Sequence, residues 1–254
     1  MTTLLYDGSF EGLMTAIFEI FEYQFRDAEI YSQENYKVEN IFATVHEVQT
    51  QVEKSERVLK KLEQNLGKSG VSQLLMVFLS EDAQLENLIV SAVKYSLSRP
   101  NQNVLNDFAH SEMMQIAKVC KSVSREVHRM NAFVRFEKLQ DDFYFAKVEP
   151  DFNVLPLIFK HFKARYQDQK WMIFDLKRHY GIFSDRENAD FFYPNEWDQN
   201  KFIKTQNLLH EDELKYQKLW QRYFFKTNIP ERKNIKLHVK SLPKRYWKYL
   251  TEKY

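Results

Sequence analysis

Apolar positions recur three and four apart through the first half of the chain and then switch to a period of two. The chain opens on a short extended run, Thr3-Leu4-Leu5-Tyr6, closed by the turn pair Asp7-Gly8. Ser9 is placed to cap a helix whose stripe is Phe10, Leu13, Met14, Ile17, Phe21 and Phe25. From residue 37 to 130 the spacing predicts mostly helix. An amphipathic stretch, Glu53 to Leu66, stops at Gly67, and the apolar run Val71 to Leu79 and the segment Asp82 to Leu97 follow. A long helix from Val104 to about Met130 turns Phe108, Met113, Ile116, Val119, Cys120 and Val127 inward.

Beyond residue 130, Ala132, Val134 and Phe136 alternate with Phe133, Arg135 and Glu137 along Asn131 to Leu139. Gln140-Asp141-Asp142 reads as a turn, Phe143 to Glu149 alternates again, and the two runs predict a β-hairpin ended by Pro150. Val154 to Tyr166 predicts a helix with Leu155, Ile158, Phe159, Phe162 and Tyr166 inside and Lys160, His161, Lys163 and Arg165 on its other side. A second hairpin runs from Trp171 to Leu176, around Lys177-Arg178, and back over Tyr180 to Phe183. Residues 185 to 200 read as a long loop, and Glu211 to Phe225 as a helix. The expected fold is α+β: a mostly helical N-terminal half, an antiparallel sheet in a hairpin–helix–hairpin arrangement, and a helical C-terminal part. No linker composition interrupts the chain. One compact domain over residues 1–254 is expected, any subdivision falling into a helical part, 1–130, and an α+β part, 131–254.

Composition narrows the function classes. Hydrophobic residues make up 44% of the 254, enough to bury a sizeable core. Charged residues nearly balance at +2, so net charge implies no partner. A single cysteine, Cys120, allows no internal disulfide and fits a reducing cytoplasm. Met1 to Tyr6 lacks the charged start and apolar run of a signal peptide, and no stretch approaches the ~18 apolar residues of a membrane span. A cytoplasmic protein without membrane contact is expected. Its five glycines match neither the dinucleotide nor the P-loop phosphate spacing. His110-Ser111-Glu112 has the H-x-E of zinc deaminases without P-C-x-x-C, and His46-Glu47 lacks the second histidine of H-E-x-x-H. No metal site and no cofactor are expected, and no catalytic residue is named.

The last third interleaves aromatic and basic residues. Tyr216 to Phe225 leads into Pro230 to Lys236, and the chain reaches Leu242-Pro243-Lys244-Arg245-Tyr246-Trp247-Lys248. Glu231 to Tyr254 holds eight Lys or Arg against two acids, a net +6 that leaves about −4 for the rest of the chain. Cations hold phosphates and aromatic faces stack on bases, so this composition points to nucleic acid. The candidate binding residues are Arg129, Arg135, Lys160, His161, Arg165, Lys177, Arg178, Lys244, Arg245 and Lys248, with Trp247 or Tyr246 as a stacking ring. Each has a plainer reading. Tyr246 and Trp247 are also suited to docking on the core beside Lys and Arg stems. Arg135 also suits a pair with Glu137, and His161 and Arg165 suit a solvated helix face.

Four stretches carry a resemblance: Tyr6 to Leu13, His128 to Phe136, Glu149 to Pro156 with His161, Phe162 and Arg165, and Leu242 to Lys248. In this order they resemble a bacterial family assigned to DNA metabolism or DNA repair and built on a domain of unknown function. Genes of that family accompany a radical SAM protein similar to spore photoproduct lyase, and some members are fused to a uracil-DNA glycosylase domain. The resemblance implies a nucleic-acid-binding or accessory protein that presents damaged or modified DNA to a radical SAM partner. The chain has no C-x-x-x-C-x-x-C cluster, so radical chemistry would belong to that partner, and the glycosylase chemistry of the fused members is not expected of residues 1–254. Two other readings stay open: a stand-alone base-excising hydrolase, and a protein-interaction module without DNA affinity.

Overall fold

The computed structural model of the chain describes residues 2–25, 27–37, 44–195, 209–229 and 234–253. The fold is α+β. The chain divides into two compact units, residues 1–123 and 124–254.

The first unit begins with β1 (Thr2–Tyr6), which pairs in parallel with β2 (Ala28–Ser32) on one side and β3 (Thr44–Glu47) on the other. Helix α1 (Phe10–Glu22) is the crossover that a parallel β1–β2 pair requires. Its start is fixed by side chains. Ser9 Oγ accepts from the Gly12 amide at 2.9 Å, and Asp7 Oδ1 accepts from the Ser9 amide at 2.9 Å. A Cβ at Gly12 would lie 2.2 Å from Asp7 Oδ1, so a larger residue there would push the Asp7 carboxylate out of this cap. Of the sheet, only β1 is predicted by the residue pattern. The four residues of β3 are mostly exposed and show no alternation.

Helices α2 (Val52–Phe78) and α3 (Leu85–Ser98) cover the other side of α1's apolar stripe. Gly67, the predicted stop, instead kinks α2: at φ 72°, ψ 171° it occupies a region open essentially to glycine alone, and helix resumes on both sides. Leu13, Met14 and Ile17 of α1 close the core with Leu62 and Leu74 of α2 and Ile89 of α3. Phe21, expected in that stripe, is exposed. The long helix expected from Val104 starts later, as α4 (Ser111–Phe133). Local acceptors interrupt it. Asn103 takes the Leu105 amide at 3.2 Å, and Asp107 takes the Ala109 amide at 3.2 Å and the Tyr95 hydroxyl at 2.5 Å. Phe108, predicted to face inward, therefore lies exposed on this non-helical segment.

The second unit is built on a five-stranded sheet in the order β4 (Glu137–Lys138), β5 (Phe143–Val148), β6 (Lys170–Asp175), β7 (Tyr180–Ser184), β8 (Ala189–Phe192). Both predicted hairpins are antiparallel, but β5 and β6 pair in parallel, which corrects the purely antiparallel expectation. The physical reason is α5 (Leu155–Arg165), whose length returns the chain to the same end of the sheet. The alternation read along Asn131 to Leu139 becomes strand only at its end: α4 runs to Phe133, residues 134–136 are irregular, and only Glu137–Lys138 form β4. The stretch read as a loop from 185 contains β8, and residues 196–200 of that loop lie outside the described residues. Both faces of the sheet are covered. Met172 and Phe174 pack with Leu139 and Phe145 on one face, and Trp171 meets Phe162 of α5 with ring centroids 6.2 Å apart on the other. Beyond the sheet lie α6 (Glu213–Thr227), α7 (Ile235–Ser241) and a 3-10 segment, Lys244–Tyr249. Among the described residues no helix is long and apolar enough to cross a membrane.

Candidate nucleic-acid interface

The second unit sorts its cations into two groups, those that hold acids of the fold and those that face solvent. The first group centres on Glu126 of α4, whose side chain is 1% exposed. Its carboxylate accepts from Arg245 Nη2 at 2.8 Å and from the Asp151 amide at 3.0 Å, and Arg129 lies 3.7 Å away. Arg245 also reaches Asp151 at 2.8 Å and stacks on the Tyr246 ring at 4.5 Å. Tyr246 is buried, and burial together with Glu126 pushes its hydroxyl well above the usual tyrosine range.

The loop after β5 gathers the other partners. Asp175, fully buried, accepts from Arg178 Nη1 at 2.8 Å and from the Lys177 amide at 2.8 Å. Arg178 and Lys177 then donate to the Asp151 carbonyl at 3.0 and 3.1 Å. Lys248 pairs with Glu149, which also accepts from the Tyr249 hydroxyl at 2.8 Å. These two partners hold the Glu149 carboxyl below its usual range. Arg135 grips the buried Glu252 at 2.8 Å and caps the end of α4 through the Ala132 carbonyl at 3.0 Å. Trp247 donates to the Leu242 carbonyl at 3.1 Å and is partly buried, with Lys244 5.9 Å from its ring.

Seven of the sequence-nominated residues therefore have partners inside the unit: Arg129, Arg135, Lys177, Arg178, Arg245, Trp247 and Lys248. Lys160, His161 and Arg165 share the solvent side of α5, and Lys244 is exposed. Arg232 and Lys233 lie outside the described residues.

The second group lies on α6, a helix the sequence marks as aromatic and basic but none of whose residues is among the candidates read from the sequence. It packs through one side. Glu213 accepts from the Lys138 amide at 2.9 Å, Gln221 donates to the Thr251 carbonyl at 2.9 Å, and Phe224 lies under Lys253 at 4.9 Å. At about 100° per residue, Lys215, Lys218, Arg222 and Lys226 fall on the opposite side within an arc of roughly 80°. Leu219, Tyr223, Tyr216 and Trp220 fill the neighbouring arc of roughly 100°. Tyr216 and Tyr223 are 55% and 60% exposed, and Trp220 stacks on Tyr223 with centroids 5.6 Å apart. Among the described residues no carboxylate pairs with any of these four cations. The signal was present in the helical spacing of residues 213–227, once the turn of the helix is combined with knowledge of which side packs.

The family model of a domain of unknown function, DUF4130, matches residues 83–252, about two thirds of the chain. The chain belongs to this family. The match covers the whole α6 helix and the network around Glu126, and it leaves β1, α1 and α2 outside. No curated protein matches the chain. Among the described residues no group of three or more His, Cys, Asp or Glu converges as a metal ligand set.

Proposed function

We propose that this member of the DUF4130 family binds nucleic acid through α6, as a binding or accessory protein in DNA repair or modification. One observation carries the reading: the four cations, with no carboxylate partner among the described residues, lie beside the exposed Tyr216, Leu219 and Tyr223 on the solvent side of one helix, while Trp220 turns back to donate to Glu252 at 2.9 Å. Lys215 and Lys226 are about 17 Å apart along the helix axis, so the basic arc can follow several phosphates. Tyr216 and Tyr223 offer exposed faces to unstacked bases, which favours a single-stranded or flipped-base ligand over intact duplex. The role in repair and the radical SAM partner rest on the resemblance of the four sequence stretches. In this reading the cations around Glu126 hold the fold, and α6 replaces them as the contact surface.

A salt titration tests it. Affinity for a labelled oligonucleotide should fall steeply with ionic strength, and substitution of the α6 cations should remove most of that dependence. Binding that is absent or indifferent to salt would overturn the proposal.

A second reading draws on the apolar exposure of the same region. Leu214 and Phe225 of α6 and Ile235 and Leu237 of α7 are large and more than half exposed. Such a surface also suits a protein partner. Copurification of a partner that survives nuclease treatment, without affinity for oligonucleotides, would favour this reading over the first.

A further inference from the structure

The first unit holds an apolar groove with a volume of about 390 Å³ between α1, α2 and α3. Its walls are Ile17, Phe18 and Phe21 of α1, Leu62 of α2, and Val93 and Leu97 of α3. Phe21 and Leu97 are partly open to solvent at the rim, so the apolar lining is reachable. Arg57 and Lys61 also line the groove, one helical turn apart on α2. The Arg57 guanidinium, although exposed, sits 4.8 Å from the Phe18 ring centroid, which places it at the groove. The one acid in the lining, Glu22, is occupied by Lys54 at 2.8 Å. Among the described residues neither Arg57 nor Lys61 has a carboxylate partner.

We infer that this groove binds a small amphipathic anion, an apolar body carrying one carboxylate or similar group. Its size falls within the range of small-molecule sites, which combine apolar walls with a few polar groups that fix orientation. The hydrocarbon part would displace water from the α1–α3 walls. The anionic group would lie between Arg57 and Lys61, where it meets two cations without having to break an ion pair. The inference is independent of nucleic-acid binding, because every residue of the groove lies in the first unit and α6 in the second.

The test is calorimetric titration of the full chain with dodecanoate and with dodecyltrimethylammonium, both below their micellar concentrations. Dodecanoate should bind saturably at one site, and the cation of equal chain length at least tenfold more weakly. The double variant Arg57→Gln/Lys61→Gln should lose at least tenfold in dodecanoate affinity and lose the preference between the two probes. Leu97→Glu, at an exposed rim position, should reject dodecanoate while keeping the cationic probe. Unchanged melting temperatures would show that the variants are folded. Absence of saturable binding, or variants that bind dodecanoate as the unaltered chain does, would overturn the inference.

Discussion

Replacing Lys215, Lys218, Arg222 and Lys226 together by glutamine should flatten the salt dependence of oligonucleotide binding without unfolding the protein. All four side chains lie on the exposed side of α6, and glutamine is nearly as good a helix former as lysine or arginine. Stability should therefore change by no more than about 0.5 kcal/mol per site. For single strands, each neutralised phosphate contributes about −0.7 to the slope of log affinity against log salt. Four contacts make the slope steeper by roughly 2.8 in the unaltered protein than in the variant. Between about 50 and 200 mM salt, that difference is roughly a 50-fold greater loss of affinity. Fluorescence anisotropy with a labelled single strand measures both slopes directly. Tyr216→Ala/Tyr223→Ala should weaken binding by about 1–3 kcal/mol for each base that loses its stack, and leave the slope where it was. Parallel slopes for the unaltered protein and the quadruple variant would refute the assignment to α6. A flattened slope in Lys160→Gln/Arg165→Gln instead would move the contact surface to α5.

Four further outcomes follow from the fold. Glu126→Gln leaves Arg245 and Arg129 beside a neutral amide and should cost about 3 kcal/mol, read from urea unfolding at neutral pH; a loss below about 1 kcal/mol would mean the network is not holding the unit together. Arg245→Gln should lower stability and leave the salt slope of oligonucleotide binding unchanged, the reverse of what a phosphate contact would do. Gly67→Ala should cost about 1–3 kcal/mol although nothing lies within 4 Å of the added Cβ, because the backbone angle alone penalises it; a neutral result in thermal melting would show that the kink relaxes. Lys248→Met removes the group that most depresses the Glu149 carboxyl. A depressed carboxyl stabilises above its unfolded pKa of about 4.3, and that contribution is lost as pH falls through the lower folded value. The stability gap between the unaltered chain and Lys248→Met should thus be largest near neutrality and narrow as pH falls below the unfolded value and through the folded one; a gap that does not change with pH in acid would contradict it.

Element type was legible wherever a segment was long and periodic. The α1 stripe as far as Ile17, the amphipathic part of α2, α5 and the β6–β7 hairpin all lie where the spacing of apolar residues puts them. What escaped was pairing and interruption. Nothing in β5 or β6 alone distinguishes a parallel from an antiparallel neighbour: alternation along β5 reports its two faces, and the direction of the pairing is set by the α5 crossover between the strands. Nor does apolar periodicity register Asn103 and Asp107, whose side chains capture amides that a continuous helix would have used. For the candidate site, residue type was legible and partnership was not. Arg245 and Lys215 are equivalent as cations in a sequence. Only the three-dimensional position of Glu126, more than a hundred residues earlier in the chain, separates them.

That separation bears on what the sequence resemblance itself encodes. Two of its four stretches meet directly in the second unit, Glu149 and Asp151 of one pairing with Lys248 and Arg245 of the other, and a third joins them through Glu126, which Arg129 and Arg245 share. A cation in such a network can meet a phosphate only by sharing or leaving its carboxylate, and uncovering a buried acid such as Glu126 costs about 3–5 kcal/mol. Exposed cations on α6 pay no such penalty, since water is all that they release. A binding surface built from unpaired cations can therefore change in sequence while the Glu126 network keeps the fold that presents it. On this argument the shared stretches report how the second unit is held together, and ligand preference is to be sought in the side chains of α6.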